Sequence, residues 1–142
     1  MPRVALLLAL LGCSCASRPA PAGVPDPGRS SLALLPGIAH ADGAERIVIR
    51  VDVRDGAGAP VPGARVQVDA SCPGIRLRQP GPAGPDGATL AEARATSPGR
   101  CRVTAKLAAA GRAVLLDRGD ELIFVPSTRG PRVDLFPFGR PP

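Results

Sequence analysis

The chain has 142 residues, with 18 Lys and Arg against 12 Asp and Glu and a formal net charge of +6. It has no Trp or Tyr, only three Phe, and cations interleaved with acids, so it lacks the aromatic platforms on which nucleic-acid bases or sugar rings stack. We therefore expect no nucleic-acid partner and no small-molecule substrate. The 18 Pro and 17 Gly indicate turns and extended segments around one small domain.

Residues 1–12 are predicted to be a signal peptide. Arg3 supplies the positive charge of such a leader, and the apolar run 4–11 follows it. This run is too short to span a bilayer, which takes about 20 residues. We therefore expect an exported protein without a transmembrane helix.

The end of this leader, Leu-Leu-Gly-Cys at residues 10–13, resembles the lipobox of bacterial lipoproteins. The resemblance implies that Cys13 carries a lipid, including palmitate, and becomes the mature amino terminus. Because Ser14 rather than Asp follows this cysteine, it also implies sorting to the outer membrane. Ordinary cleavage after Ala16 is the alternative, since small residues also stand at the required spacing there, and it would give a periplasmic or secreted protein.

Three regions are predicted after the leader. Residues 13–30 are proline-rich and are expected to form an extended tether that packs no core. Residues 31–126 are expected to form a β-sandwich. Residues 127–142 form a second proline-rich segment with an apolar cluster, which is either a disordered end or a segment that docks on the sandwich or on a partner. Its apolar residues are Val133, Leu135, Phe136 and Phe138.

About seven short strands are predicted, because apolar and polar residues alternate and turn signals recur every eight to twelve residues. The segment 89–95 is also compatible with a helix, since alanine favours helices, but its nearby turns favour a strand. This pattern predicts an all-β fold, a single immunoglobulin-like β-sandwich. The eight candidate segments for these strands are Ser30–Leu35, Arg46–Arg54, Ala64–Cys72, Ile75–Arg78, Thr89–Ala95, Cys101–Leu107, Ala113–Leu116 and Glu121–Val125, with the last two forming a hairpin around Asp117–Asp120.

Two of the four cysteines are predicted to form a disulfide. Cys72 alternates with core-facing residues of one strand and Cys101 with those of another, so both thiols should face the core. An exported protein reaches an oxidising compartment, where such thiols pair. Two unpaired buried cysteines are the alternative. A zinc site is not indicated, because the chain has no Cys-x-x-Cys and His40 is its only histidine.

Six short motifs follow one another along the predicted sandwich. They are Ala41-Asp42-Gly43, Ile47-x-Ile49-x-Val51-x-Val53-x-Asp55, Gly58-x-Pro60-Val61-x-Gly63-x-x-Val66, Asp86-Gly87, Thr96-Ser97-x-Gly99 and Val103-Thr104-Ala105. Together they resemble the bacterial immunoglobulin-like domain of the invasin/intimin type. The resemblance implies a non-catalytic spacer or interaction module in an exported protein. A second resemblance, to sandwiches of the carboxypeptidase-regulatory type, rests on the proline-glycine turn at 58–63 and the strand after it.

No residue pattern indicates catalysis, a cofactor or a metal, so the protein is expected not to be an enzyme. His40 has no Gly-x-Ser-x-Gly partner motif, and the acids at 117, 120 and 121 do not have the spacing of a calcium loop. The tripeptide 118–120, Arg-Gly-Asp, resembles an integrin-binding motif, although a tight turn accounts for it equally well. The predicted function is that of a lipid-anchored module with a structural or binding role in the envelope, possible partners being envelope proteins. The alternative is a soluble accessory domain of an enzyme or transport system.

Overall fold

The computed structural model describes residues 23–128, and this part of the chain is all-β. The predicted signal peptide, Cys13 and most of the predicted C-terminal segment lie outside the described residues. No helix long and apolar enough to cross a membrane is found in the part that is described. The strands are β1 (Ser31–Leu35), β2 (Ile38–His40), β3 (Ile47–Asp52), β4 (Arg65–Ala70), β5 (Ile75–Arg78), β6 (Ala88–Ala95), β7 (Gly99–Ala109), β8 (Arg112–Leu116) and β9 (Glu121–Val125).

These strands form two packed sheets. One sheet has the order β1-β3-β6-β5, and the other has the order β2-β9-β7-β4 with β8 also paired to β7. The first strand of the sandwich is interrupted at Pro36-Gly37, so β1 joins one sheet and β2 joins the other. The last strand is likewise interrupted, because β8 and β9 pair with different parts of β7. The nine segments therefore make seven strands in the immunoglobulin-like arrangement, and the predicted fold class is confirmed.

The predicted hairpin between residues 113 and 125 is wrong. Both β8 and β9 run antiparallel to β7, so the hairpin is β7–β8, closed by the two-residue turn Ala110-Gly111. Both turn residues have positive φ, 49° and 72°, as a tight hairpin with right-handed twist requires. The segment 117–120 is a bulge, because it stands opposite only residues 103–104 of β7.

The core lies between the sheets and consists of small side chains. The four residues at alternate positions of β3 and just after it, predicted to share one face, are fully buried. Three of the four alanines of β6 are buried as well, which settles this segment as a strand, because its small residues let the two sheets approach closely. The buried hydrophobic residues of these two strands, with Val53 just after β3, are Ile47, Ile49, Val51, Val53, Ala91, Ala93 and Ala95.

A glutamine side chain closes one edge of the second sheet. The Gln79 amide accepts a hydrogen bond from the Val68 N–H at 2.9 Å and donates one to the Val68 carbonyl at 2.8 Å. It thus satisfies the outer backbone groups of β4 as a neighbouring strand would. This contact also ties the segment after β5 to the opposite sheet.

The two ends of the described chain lie at opposite ends of the sandwich. Gly23 donates to the Asp55 carboxylate, beyond the end of β3, and lies near the Ala110-Gly111 turn. Thr128 instead lies beside His40, near the start of β7. We refer to these as the Gly23 end and the Thr128 end.

Candidate functional site

The structure brings together the predicted cysteine pair. Cys72, two residues after the end of β4, and Cys101, in β7, form a disulfide that links positions 29 residues apart. Cys101 is buried at 1% exposure, whereas Cys72 is half-buried at the rim of the core. The predicted disulfide is confirmed, and it fastens the irregular segment after β4 to a central strand.

Residues 23–30, which fall in the predicted tether 13–30, do not hang free of the domain. The Asp26 N–H donates to the Arg54 carbonyl at 2.8 Å, and the fully buried Ser30 hydroxyl contacts the Arg54 carbonyl and N–H at 3.2 and 3.0 Å. The expectation of a tether without packing is therefore corrected for this part. Backbone groups of a proline-rich segment still need partners, and the edge of the sandwich supplies them.

Asp55 organises the Gly23 end. Its side chain is buried, with 4% of its surface exposed, and accepts hydrogen bonds from the N–H groups of Ala59 at 2.9 Å, Ala57 at 3.0 Å and Gly23 at 3.5 Å. These donors, the Ala59 N–H above all, hold the pKa of the Asp55 carboxyl below its ordinary value because they stabilise the charged form. The sequence shows this residue only as the first position of a glycine-rich turn.

Arg118, in the bulge 117–120, fastens the same amino-terminal segment from the other side. Its Nη2 donates to the carbonyl oxygens of Pro27 at 3.0 Å, Gly28 at 3.3 Å and Ser30 at 2.8 Å. The Arg-Gly-Asp tripeptide therefore uses its arginine within the domain, as the turn interpretation implies. Nothing in the sequence signals this contact, because Arg118 lies 88 or more residues after the three residues whose carbonyl groups it binds.

Asp117, one of the three acids considered for calcium, is also engaged within the domain. Asp117 accepts hydrogen bonds from Nε and Nη2 of Arg102 at 3.1 and 2.9 Å, and this guanidinium lowers the pKa of the Asp117 carboxyl. Within residues 23–128, no group of three or more His, Cys, Asp or Glu side chains has a geometry that would hold a metal ion.

The Thr128 end contains the single histidine. His40 Nδ1 lies 2.9 Å from a Glu45 carboxylate oxygen, and the His40 backbone N–H donates to the same carboxylate at 2.8 Å. These two contacts lower the pKa of Glu45, the backbone hydrogen bond contributing most. Asp42 accepts from the N–H groups of Ala44 and Glu45, both at 2.8 Å, so the loop is closed by its own side chains.

Comparison with solved structures identifies the fold. The chain superposes on the adhesin InvE of Yersinia pseudotuberculosis with a TM-score of 0.61 and 20% identity, covering 74% of this chain and 28% of InvE. It superposes on invasin, a bacterial integrin-binding protein, with a TM-score of 0.58 and 26% identity, covering 74% of this chain and 20% of invasin. The domain has the immunoglobulin-like fold of the invasin/intimin type.

A third structure agrees, InvD of Yersinia pseudotuberculosis, with a TM-score of 0.65 and 18% identity over 74% of this chain and 30% of InvD. The chain thus spans less than a third of the length of each of these three proteins. No protein-family model and no curated protein matches the sequence. The invasin/intimin-type domain is therefore assigned on its fold, and the structures it resembles include adhesin domains.

Proposed function

We propose that the protein is an exported invasin/intimin-type module, anchored by lipid on Cys13 and acting in binding or structure at the bacterial cell envelope. The leader motif at residues 10–13 supports the anchor, and the likeness to InvE and invasin supports the envelope location. In this proposal residues 13–22 link the anchor to the folded domain, and the destination is the outer membrane.

The position of the two ends carries this proposal. Gly23, the first described residue after the proposed anchor, is held at one end of the sandwich by Asp55, and Thr128 lies at the other. Between Cys13 and Gly23 the chain reaches at most about 35 Å, at about 3.5 Å per residue. An anchor at Cys13 would thus keep the Gly23 end near the membrane and turn the Thr128 end away from it.

A non-catalytic role fits the same observations. His40 is held by Glu45, and Asp117 by Arg102, so these titratable groups serve the domain itself. The backbone of the loops at both ends is fixed by Asp42 and Asp55 rather than arranged around a cleft with converging reactive groups. We propose that the module works through its surface, with an envelope protein as its partner.

The anchor is tested by expressing the full-length chain with its leader in a bacterium and separating membrane from soluble fractions. Wild-type protein is expected in the outer membrane, with a mass increase on the Cys13 peptide that matches a lipid. Cys13→Ala should release it into the soluble fraction, whereas the matched control Cys15→Ala should stay in the membrane. Soluble wild-type protein cut after Ala16 would refute the anchor and favour the soluble accessory domain.

A further inference from the structure

The exposed face of the β1-β3-β6-β5 sheet carries an excess of positive charge. Five arginines stand at outward positions of β3, β5 and β6 or next to them, against the acids Asp52 and Glu92 on the strands and Asp86 just before β6, which acts electrostatically on Arg50. We call this surface the arginine face. Its arginines are Arg46, Arg50, Arg76, Arg78 and Arg94.

The acids of the arginine face cannot neutralise it. Glu92 is shared by Arg46 at 3.2 Å and Arg94 at 3.9 Å, and Asp52 is bound by Arg50 at 3.0 Å. Arg76 and Arg78 make no ion pair within residues 23–128. On the opposite sheet Arg102 is paired with Asp117 at 2.9 Å and Arg100 with Glu121 at 3.8 Å, while Arg65, Lys106 and Arg112 make no ion pair within the described residues.

One contact on this face is unfavourable for the fold. Arg76 of the edge strand β5 is the direct cross-strand partner of Arg94 in β6. Like charges placed directly opposite each other destabilise a sheet. Two arginines at directly opposed positions do, however, offer several donors to a carboxylate, which an arginine fork holds through two parallel hydrogen bonds.

Apolar side chains lie beside these cations. Leu90 is 58% exposed, and with Val48 it lines a shallow depression of about 390 Å³ that Arg46 and Arg78 border. Leu35, 55% exposed, is the cross-strand neighbour of Val48. An aliphatic centre with arginines around it is the composition of a protein-binding surface.

We infer that the arginine face is a docking surface for an acidic segment of a partner protein. Carboxylates of the partner would bind Arg76 and Arg78, and an apolar side chain would cover Leu90 and Val48. This inference rests on the proposed binding function and names the surface and the chemistry of the partner. A protein is favoured over a phosphate polymer because Leu90 and Val48 lie within the face, and a row of phosphates has no apolar group to cover them.

The size of the face sets the strength of this contact. Four strands about 4.8 Å apart and about six residues long at about 3.4 Å each cover about 400 Å². Stable interfaces bury about 800 Å² on each partner, so this contact is expected to be weak and transient. Its electrostatic part should also weaken as salt is added.

The test is an NMR titration of the full-length ¹⁵N-labelled chain with the peptide acetyl-Glu-Glu-Leu-Glu-Glu-Leu-Glu-amide at low salt. We expect saturable shifts confined to the backbone amides of β5, β6 and the middle of β3. The double variant R76E/R78E should weaken binding about tenfold or more, whereas R65E/K106E, an equal charge change on the opposite sheet, should weaken it less than about threefold. Leu90→Ala should weaken binding without changing its salt dependence. Thermal unfolding of each variant shows that the fold is kept.

Equal weakening by the two double variants, or shifts spread over both sheets, would overturn the inference because it would show non-specific charge attraction. Binding to phosphatidylglycerol vesicles with no binding to the peptide would overturn it in favour of a lipid surface. The titration does not depend on Cys13. Soluble wild-type protein in the fractionation experiment therefore refutes the anchor alone, and failure of the titration refutes the docking surface alone.

Discussion

Breaking the Cys72–Cys101 disulfide is expected to lower the free energy of unfolding by about 3.5 kcal/mol. The bond closes a loop between positions 29 residues apart, and the chain-entropy relation assigns about that amount to a loop of this length. Domains of this size are stable by about 5–15 kcal/mol, so the loss is a large fraction of the total. It corresponds to a fall of about 15–25 °C in the unfolding temperature.

The assay is denaturant unfolding of a chain carrying C13A and C15A, so that Cys72 and Cys101 are the remaining cysteines. The double variant C72A/C101A and the reduced parent chain should show nearly the same loss. Alanine is the suitable replacement because a serine hydroxyl would be buried at position 101, where exposure is 1%. A loss below about 1 kcal/mol on reduction, or an effect of reductant on C72A/C101A, would refute the reasoning.

Three further outcomes are expected. Ala110→Asn should raise the free energy of unfolding by about 0.5–1 kcal/mol, measured by denaturant titration, because Ala110 has a φ of 49° and Asn tolerates that conformation better. Gly87→Ala should lower it by about 3 kcal/mol in the same titration, because φ is +78° and a Cβ would lie 2.5 Å from the Val53 carbonyl oxygen; an unchanged midpoint would contradict this contact. The pKa of Asp55 is lower in the folded protein than in the unfolded chain, so ionised Asp55 stabilises the fold above the pKa that it has in the unfolded chain. This stabilisation is lost as pH falls through the pKa of the folded state. The free energy of unfolding should therefore decline below about pH 4, and it should decline less in Asp55→Asn.

Period-two alternation was sufficient to predict most strands. It placed β3, β4, β6 and β7 to within two residues at each end, because one face of each strand is buried and the other is in water. The same rule could not show which strands pair. Residues 113–125 show the same alternation of apolar and polar residues whether they form a hairpin of their own or pair as two successive segments with β7. Only the turn at 110–111, with positive φ at both residues, distinguishes these two arrangements.

The contacts at the ends of the sandwich could not be predicted in the same way. Asp55, Ser30 and Arg118 act through backbone groups that become neighbours only after the sheets have formed. The disulfide was predictable because both thiols alternate with core-facing residues and therefore face the same small core. The arginine face could be predicted only in part. The alternation of β5 places Arg76 and Arg78 outward, but the pairing of Arg76 with Arg94 can be known only from the strand register.

The parallel pairing of β2 with β9 has a mechanical consequence. The chain enters the first strand of the sandwich from the Gly23 end and leaves the last strand at the Thr128 end. β2 and β9 are hydrogen-bonded side by side and run in the same direction. A force applied between these two ends would pull β2 and β9 past each other along their axes. Their hydrogen bonds would then share the force together rather than open one after another, so the domain is built to resist stretching along its long axis.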